Sequence, residues 1–115
     1  MIRVKRVYDP PARADGTRIL IDRVWPRGLS KKDVAADEWL KDVAPSTALR
    51  RWFGHDPEKW AEFRRRYAAE LAAQPEAVAR LRALARRGTV TLVFGARDSE
   101  HSNAAALKAY LERRK

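Results

Sequence analysis

The sequence contains no cysteine, which excludes a disulfide framework, thiolate metal ligation and thiol nucleophiles and fits a protein of the reducing cytosol. It has no run of about 18 apolar residues, and Met1-Ile2-Arg3-Val4-Lys5-Arg6 lacks the apolar core of a signal segment. Membrane insertion and export are therefore not expected, and a cytoplasmic location is. The five glycines are scattered: they form no phosphate loop of the Walker kind, and Gly95 alone does not make a dinucleotide fingerprint. The two histidines, His55 and His101, stand far apart among scattered acids, so no metal site is expected. No serine sits in a nucleophile elbow. There is no internal repeat or low-complexity linker, and 115 residues with 45% hydrophobic content suit one domain over 1–115 with one core.

What the chain has in excess is positive charge. Twenty-five Lys and Arg stand against 15 Asp and Glu, for a formal net charge of +10. Such a field attracts phosphates, nucleic acids and anionic metabolites. An Ala and Arg bias also follows from genomic base composition, so charge alone does not name a partner.

The stretch from Arg18 to Ser30, Arg-Ile-Leu-Ile-Asp-Arg-Val-Trp-Pro-Arg-Gly-Leu-Ser, carries the strongest local signal. An apolar strand pattern over Arg18 to Trp25 runs into charged, aromatic and turn residues and then into Ser30, a good helix N-cap. Before it, Ile2, Val4, Arg6 and Tyr8 alternate with Arg3, Lys5 and Val7 as a half-buried strand near an edge. The connection through Asp9-Pro10-Pro11 and Asp15-Gly16 is too short for a normal parallel crossover, so these two strands are either antiparallel or not adjacent. A long helical stretch follows Ser30, broken at Pro45, at Gly54-His55-Asp56-Pro57 and at Gln74-Pro75. Ser46 caps and Gly54 stops one helix, Asp56 caps the next, and Pro75 and Gly88 bound another. Trp60, Phe63, Tyr67 and Leu71 form a helical stripe whose spacing fits core packing better than base stacking. Thr89 to Phe94 reads as a strand, and Ala104, Leu107 and Leu111 mark a terminal helix. The predicted fold is α/β: a small, mostly parallel sheet of about three strands covered by about five helices in a single domain, with the second and third strands parallel across the helical excursion.

Parallel strands deliver their outgoing loops to one edge of the sheet, where open α/β sheets bind ligands. The first loop brings Asp22, Arg23, Trp25, Arg27 and Gly28. The second brings Gly95, Arg97, Asp98, His101 and Asn103. Asp22 is the candidate general base or orienting acid, His101 the candidate proton carrier, and Arg23, Arg27 and Arg97 the charge-stabilising donors. Trp25, Gly28, Asp98, Asn103 and His55 complete the candidate ligand-binding set. Each has a plainer reading beside it: Asp22 in a buried ion pair, Arg27 stacked on Trp25, Asp98 or Ser99 as a helix cap, and the His55 junction as capping. The favoured function is a pocket for an anionic or phosphorylated small molecule; whether a reaction follows, and with which cofactor, stays open. The alternative is a nucleic-acid-binding module that uses its Arg and Lys side chains for phosphates and Trp25 or Trp52 for stacking, although no nucleic-acid motif is present. A protein-interaction role and the oligomeric state stay open as well.

Five segments, Arg18 to Gly28, Trp39 to Ser46, Leu49-Arg50, Trp52 to Pro57 and Thr91 to Asp98 with His101-Ser-Asn103, together resemble the YeaO-like branch of the domain-of-unknown-function family 488 over nearly the whole chain. Longer forms in that family have an Asp-x-Arg strand end and a Cys-His-Arg-like turn after a later strand. The resemblance implies a site role for Asp22. Here Arg23 comes one residue early, which on a strand turns it to the opposite face, and the later turn has no cysteine.

Overall fold

The computed structural model describes residues 1–113. Four strands, β1 (Ile2–Arg6), β2 (Thr17–Leu20), β3 (Glu38–Trp39) and β4 (Val90–Phe94), form one sheet in the order β1-β4-β2-β3, with every pairing parallel. Five helices accompany it: α1 (Lys31–Val34), α2 (Thr47–Phe53), α3 (Trp60–Ala72), α4 (Pro75–Arg87) and α5 (Asn103–Glu112). The expected α/β architecture is present, with a fourth, two-residue strand added at one edge. β1 and β2 are indeed not adjacent, because β4 lies between them and pairs with both.

Alternation along the strands sorts the two faces of the sheet. Val90, Leu92 and Phe94 of β4, with Ile19 and Ile21, join the large core formed with α2 to α5, where Phe63, Tyr67, Leu71, Leu81 and Leu107 are almost wholly buried. Each such side chain stabilises the fold by roughly 1.5–3 kcal/mol. Leu20 and Val93 face the other way, into a smaller cluster with Val7 and Val34, flanked by Trp25 and Trp39. On that second face the strand residues Arg18 and Thr91 are also buried, together with Asp15. Arg18 Nη1 donates to Asp15 Oδ2 at 2.6 Å, its Nη2 to Val34 O and its Nε to Ala35 O, while Lys5 Nζ reaches Asp15 Oδ1 at 3.1 Å. Burial alone would raise the Asp15 pKa, but hydrogen bonds from the Ala12 N–H, Lys5 and Arg18 outweigh it and hold the carboxyl below its ordinary value. Among the described residues the buried ion pair is therefore Asp15 with Arg18, and not Asp22 with Arg23.

Two local expectations are corrected. The strand predicted over Arg18 to Trp25 ends at Leu20: Ile21 N–H makes the last rung, to Val93 O, and the Asp22 carbonyl accepts the Trp39 indole N–H instead of a ladder partner. The helix after Ser30 is one turn long. Ser30 and Asp33 cap it reciprocally, and Ala35 ends it in the left-handed region at φ 50. Asp37 then exchanges hydrogen bonds with the Arg18 backbone, which draws the chain into β3 beside β2. The remaining breaks fall as expected. Ser46 caps α2 and Gly54 closes it at φ 54, Asp56 caps the 3-10 turn Pro57–Lys59 that leads into α3, and Pro75 opens α4.

Candidate functional site

β2 and β4 end side by side, and the chain leaves both at the carboxyl edge of the sheet. Asp22 lies two residues beyond the end of β2, Gly95 directly follows β4, and Asn103 begins α5. The half-buried Asp22 carboxylate ties all three together: Oδ2 accepts the Gly95 N–H at 2.8 Å and Oδ1 accepts Asn103 Nδ2–H at 2.9 Å. A Cβ on residue 95 would come within 3.2 Å of Asp22 Oδ2, so glycine there lets the backbone approach the carboxylate. Burial raises the Asp22 pKa above the ordinary aspartate value, against the opposing pull of Asn103, Gly95 and the Arg50 charge.

Beside this junction lies a cleft of about 620 Å³ whose lining includes Asp22, Arg23, Arg50, Arg51, His55 and His101. Phe53 and Phe63, stacked with ring centroids 4.3 Å apart, form its apolar floor. Arg23 is held by the carbonyls of Ala44 (3.2 Å) and Pro45 (3.3 Å), neutral partners that leave its charge uncompensated. Arg50 and Arg51, on consecutive exposed positions of α2, have no carboxylate within salt-bridge distance among the described residues. His55 sits at φ 58, a left-handed conformation that non-glycine residues rarely adopt, directly after Gly54. The His101 ring packs edge-on against Trp60, with centroids 5.3 Å apart, and its Nδ1 lies 2.8 Å from Asp98 Oδ2. That contact, with the His101 and Glu100 N–H groups donating to Oδ1, keeps the Asp98 pKa below its usual value.

Of the residues chosen from sequence, Asp22, Arg23, His55, His101 and Asn103 line one cleft, and Asp98 reaches it through His101. Trp25, Arg27, Gly28 and Arg97 do not line it. Trp25 turns to the second face of the sheet, where it meets Trp39 edge-on at 5.3 Å and donates its indole N–H to Leu29 O. The Arg27 carbonyl accepts the Tyr8 hydroxyl, so the 25–30 turn leans toward the end of β1 and not toward the 95–103 turn. Gly28 supplies a φ of 81 for that turn, with open space where a Cβ would stand. The cap of α5 is Ser102, whose Oγ accepts Ala105 N–H; Asp98 caps the preceding turn, which leaves His101 ahead of the helix. The sequence reading missed Arg50, Arg51, Thr47 and Ser102. Successive arginines followed within four residues by a histidine carried a signal, but it resembled a solvated helix face.

The arrangement is rich in donors and poor in reactive groups. Both Asp22 oxygens are engaged, and the Ser102 hydroxyl is buried between Ser99 O and Ala105 N–H. No group of three metal-binding side chains occurs among the described residues. No helix among them is long and apolar enough to cross a membrane.

The model of a family described as the inactive DUF488-N3 subclade matches residues 1–115. The chain is 44% identical over 110 residues to uncharacterized protein YeaO of Escherichia coli (strain K12), covering 96% of each chain. It is 45% identical over 113 residues to uncharacterized protein Mb3100c of Mycobacterium bovis, covering 98% of this chain and 95% of the relative. No solved structure matches.

Proposed function

We propose that this chain, which belongs to the inactive DUF488-N3 subclade, binds a small organic anion in the cleft at the carboxyl edge of its sheet and does not transform it. One observation carries the reading: Arg50 and Arg51 line the cleft without carboxylate partners among the described residues, above an apolar floor of Phe53 and Phe63. Guanidinium groups presented to a cleft favour carboxylate and phosphate oxygens, which accept their parallel N–H donors. Asp22 acts in this reading as a positioning residue. By holding Gly95 and Asn103 it fixes the mutual placement of β2, β4 and α5. The absence of a thiol and the engaged Ser102 hydroxyl agree with the description of the subclade as inactive. The proposed setting is the cytosol, where a cysteine-free basic chain meets anionic metabolites.

The nucleic-acid reading has less support. Its stacking platforms are occupied: Arg66 and Lys59 lie over Trp52 at 4.2 and 5.1 Å, and Trp25 is packed against Trp39. Isothermal titration of the protein with a panel of small carboxylates and phosphates tests the proposal. Saturable one-site binding that R50Q/R51Q weakens about tenfold or more is expected. Absence of binding to every anion in the panel, or binding indifferent to both arginines, overturns it.

A further inference from the structure

We infer that the ligand of the cleft is a phosphomonoester carried on an apolar or aromatic body; the inference rests on the anion-binding reading above. Charge comes first. Arg23, Arg50 and Arg51 bring three guanidinium charges to the lining, and Asp22 brings the single carboxylate. The partners of Arg23 are neutral carbonyls, and those of Asp22 are a backbone N–H and a side-chain amide, so none of these contacts cancels a formal charge. The lining thus holds a surplus of two positive charges when the histidines are neutral. A monocarboxylate leaves half of that surplus unmatched, whereas a phosphomonoester, with a second pKa near 6, carries close to two negative charges at neutral pH and matches it.

Donor geometry points the same way. Arg50 and Arg51 diverge as consecutive residues of α2, yet both line the cleft, and their two guanidinium groups offer two forks of parallel N–H donors. A carboxylate has two oxygens and fills one fork; the three terminal oxygens of a phosphomonoester can engage both. His101 completes the wall: its Nδ1–H faces the Asp98 carboxylate and Trp60 fixes the ring plane, so in the neutral form Nε2 is an acceptor and the donors for the ligand are the guanidinium groups.

The remaining space asks for something other than phosphate. An inorganic phosphate fills a small fraction of about 620 Å³, a volume within the range of pockets that hold drug-sized ligands. The floor is the stacked Phe53 and Phe63 pair, and His55, strained at φ 58, brings its ring to the same wall with its centroid 6.3 Å from that of Phe53. The exposed His55 ring and Val24, with Pro45, Ala96 and the edges of the buried Phe53 and Phe63 rings, give the lining apolar surface beside a dianion site, which fits an aryl or heteroaryl ester.

Titration calorimetry at about pH 8, where the ester is the dianion, with phenyl phosphate, benzoate and inorganic phosphate tests this on the wild type, R50Q, R51Q and the distant control R87Q. Phenyl phosphate should bind about tenfold or more tightly than either other probe, and R50Q and R51Q should each weaken it about tenfold while R87Q leaves it unchanged. Thermal melts verify that the variants are folded. Benzoate binding as tightly as phenyl phosphate, with both sensitive to Arg50 and Arg51, overturns the phosphomonoester assignment and leaves the anion site standing. Inorganic phosphate matching phenyl phosphate overturns the apolar body. Failure of all three probes, or equal loss in R87Q, overturns the anion site itself.

Discussion

Replacing Asp22 by Asn and by Ala separates the two consequences of its carboxylate: the hydrogen bonds that join β2, β4 and α5, and the negative charge those bonds hold in a partly buried place. Ala removes the acceptor from the Gly95 N–H and from Asn103 Nδ2, bonded at 2.8 and 2.9 Å. Bonds to a charged group contribute about 1.5–3 kcal/mol each, but water from the open cleft re-solvates part of both donors, and the cost of burying the charge disappears. A net loss of about 2 kcal/mol at neutral pH is expected, read as a fall of about 8 °C in melting temperature. Asn keeps the shape and one acceptor, and Asn103 can turn its amide to receive the new NH₂ group, so the loss should stay below about 1 kcal/mol.

The sign of the pH dependence is fixed by the direction of the Asp22 shift. Burial raises its native pKa above the unfolded value, so the native state binds the proton more tightly. The stability this group contributes is fully present below the unfolded pKa and is lost as pH rises through the native pKa. The Asn variant lacks that titration. The stability of wild type minus D22N should therefore fall as pH rises from the unfolded aspartate pKa through the native one, measured by urea denaturation at each pH. A difference that rises with pH would mean that the hydrogen bonds outweigh burial, and the account of Asp22 would be wrong. The same substitution removes the one carboxylate among the cationic groups of the cleft, so D22N should bind phenyl phosphate several-fold more tightly, as loss of a nearby like charge predicts. Weaker binding would show Asp22 to be a ligand contact.

Three further outcomes follow from the packing. R18A strands Asp15 with Lys5 as its remaining charged partner and frees the carbonyls of Val34 and Ala35, so urea denaturation should register a loss of about 3 kcal/mol or more; a loss under about 1 kcal/mol would refute a structural role for the pair. Asp15 titrates in the opposite sense to Asp22: its native pKa is lowered, so its stabilisation is present above the unfolded value and disappears as pH falls through the native one, and D15N should flatten that acid limb. G16A places a Cβ 2.3 Å from Thr89 O at φ 63, whereas G28A at φ 81 meets nothing within 4 Å; melting experiments should find G16A costing about 3 kcal/mol and G28A about 1 kcal/mol.

Much of the site was legible because its strand ends announce themselves. Asp22 breaks an apolar run, Gly95 follows another, and the parallel relation inferred from the length of the helical excursion brought both to one edge. Asn103 and His101 came with the second loop. The errors arose where one-dimensional proximity stood in for direction. Trp25 and Arg27 follow Asp22 closely, but β2 ends at Leu20, and the chain turns Trp25 toward Trp39 on the second face. Arg50 and Arg51 look like ordinary helix-surface residues until α2 is laid beside the cleft. Their orientation depends on how Leu49 and Phe53 seat that helix in the core, a packing contact that no local pattern encodes.

Local chemistry by itself determined where elements begin and stop. Ser46, Asp56 and Pro75 start helical turns and Gly54 stops one, because caps, fixed φ and left-handed residues act within a few bonds of themselves. The stripe from Phe63 to Leu71 and the alternation of β4 also determined which sides face inward. Tertiary structure alone decided that β4 enters between β1 and β2, that Arg18 finds Asp15 on the second face, and that two arginines of α2 line the same cleft as Asp22. Those outcomes depend on residues tens of positions apart meeting in one packing arrangement, where burial of the shared core fixes the rotation of each helix and so the direction in which its charges point.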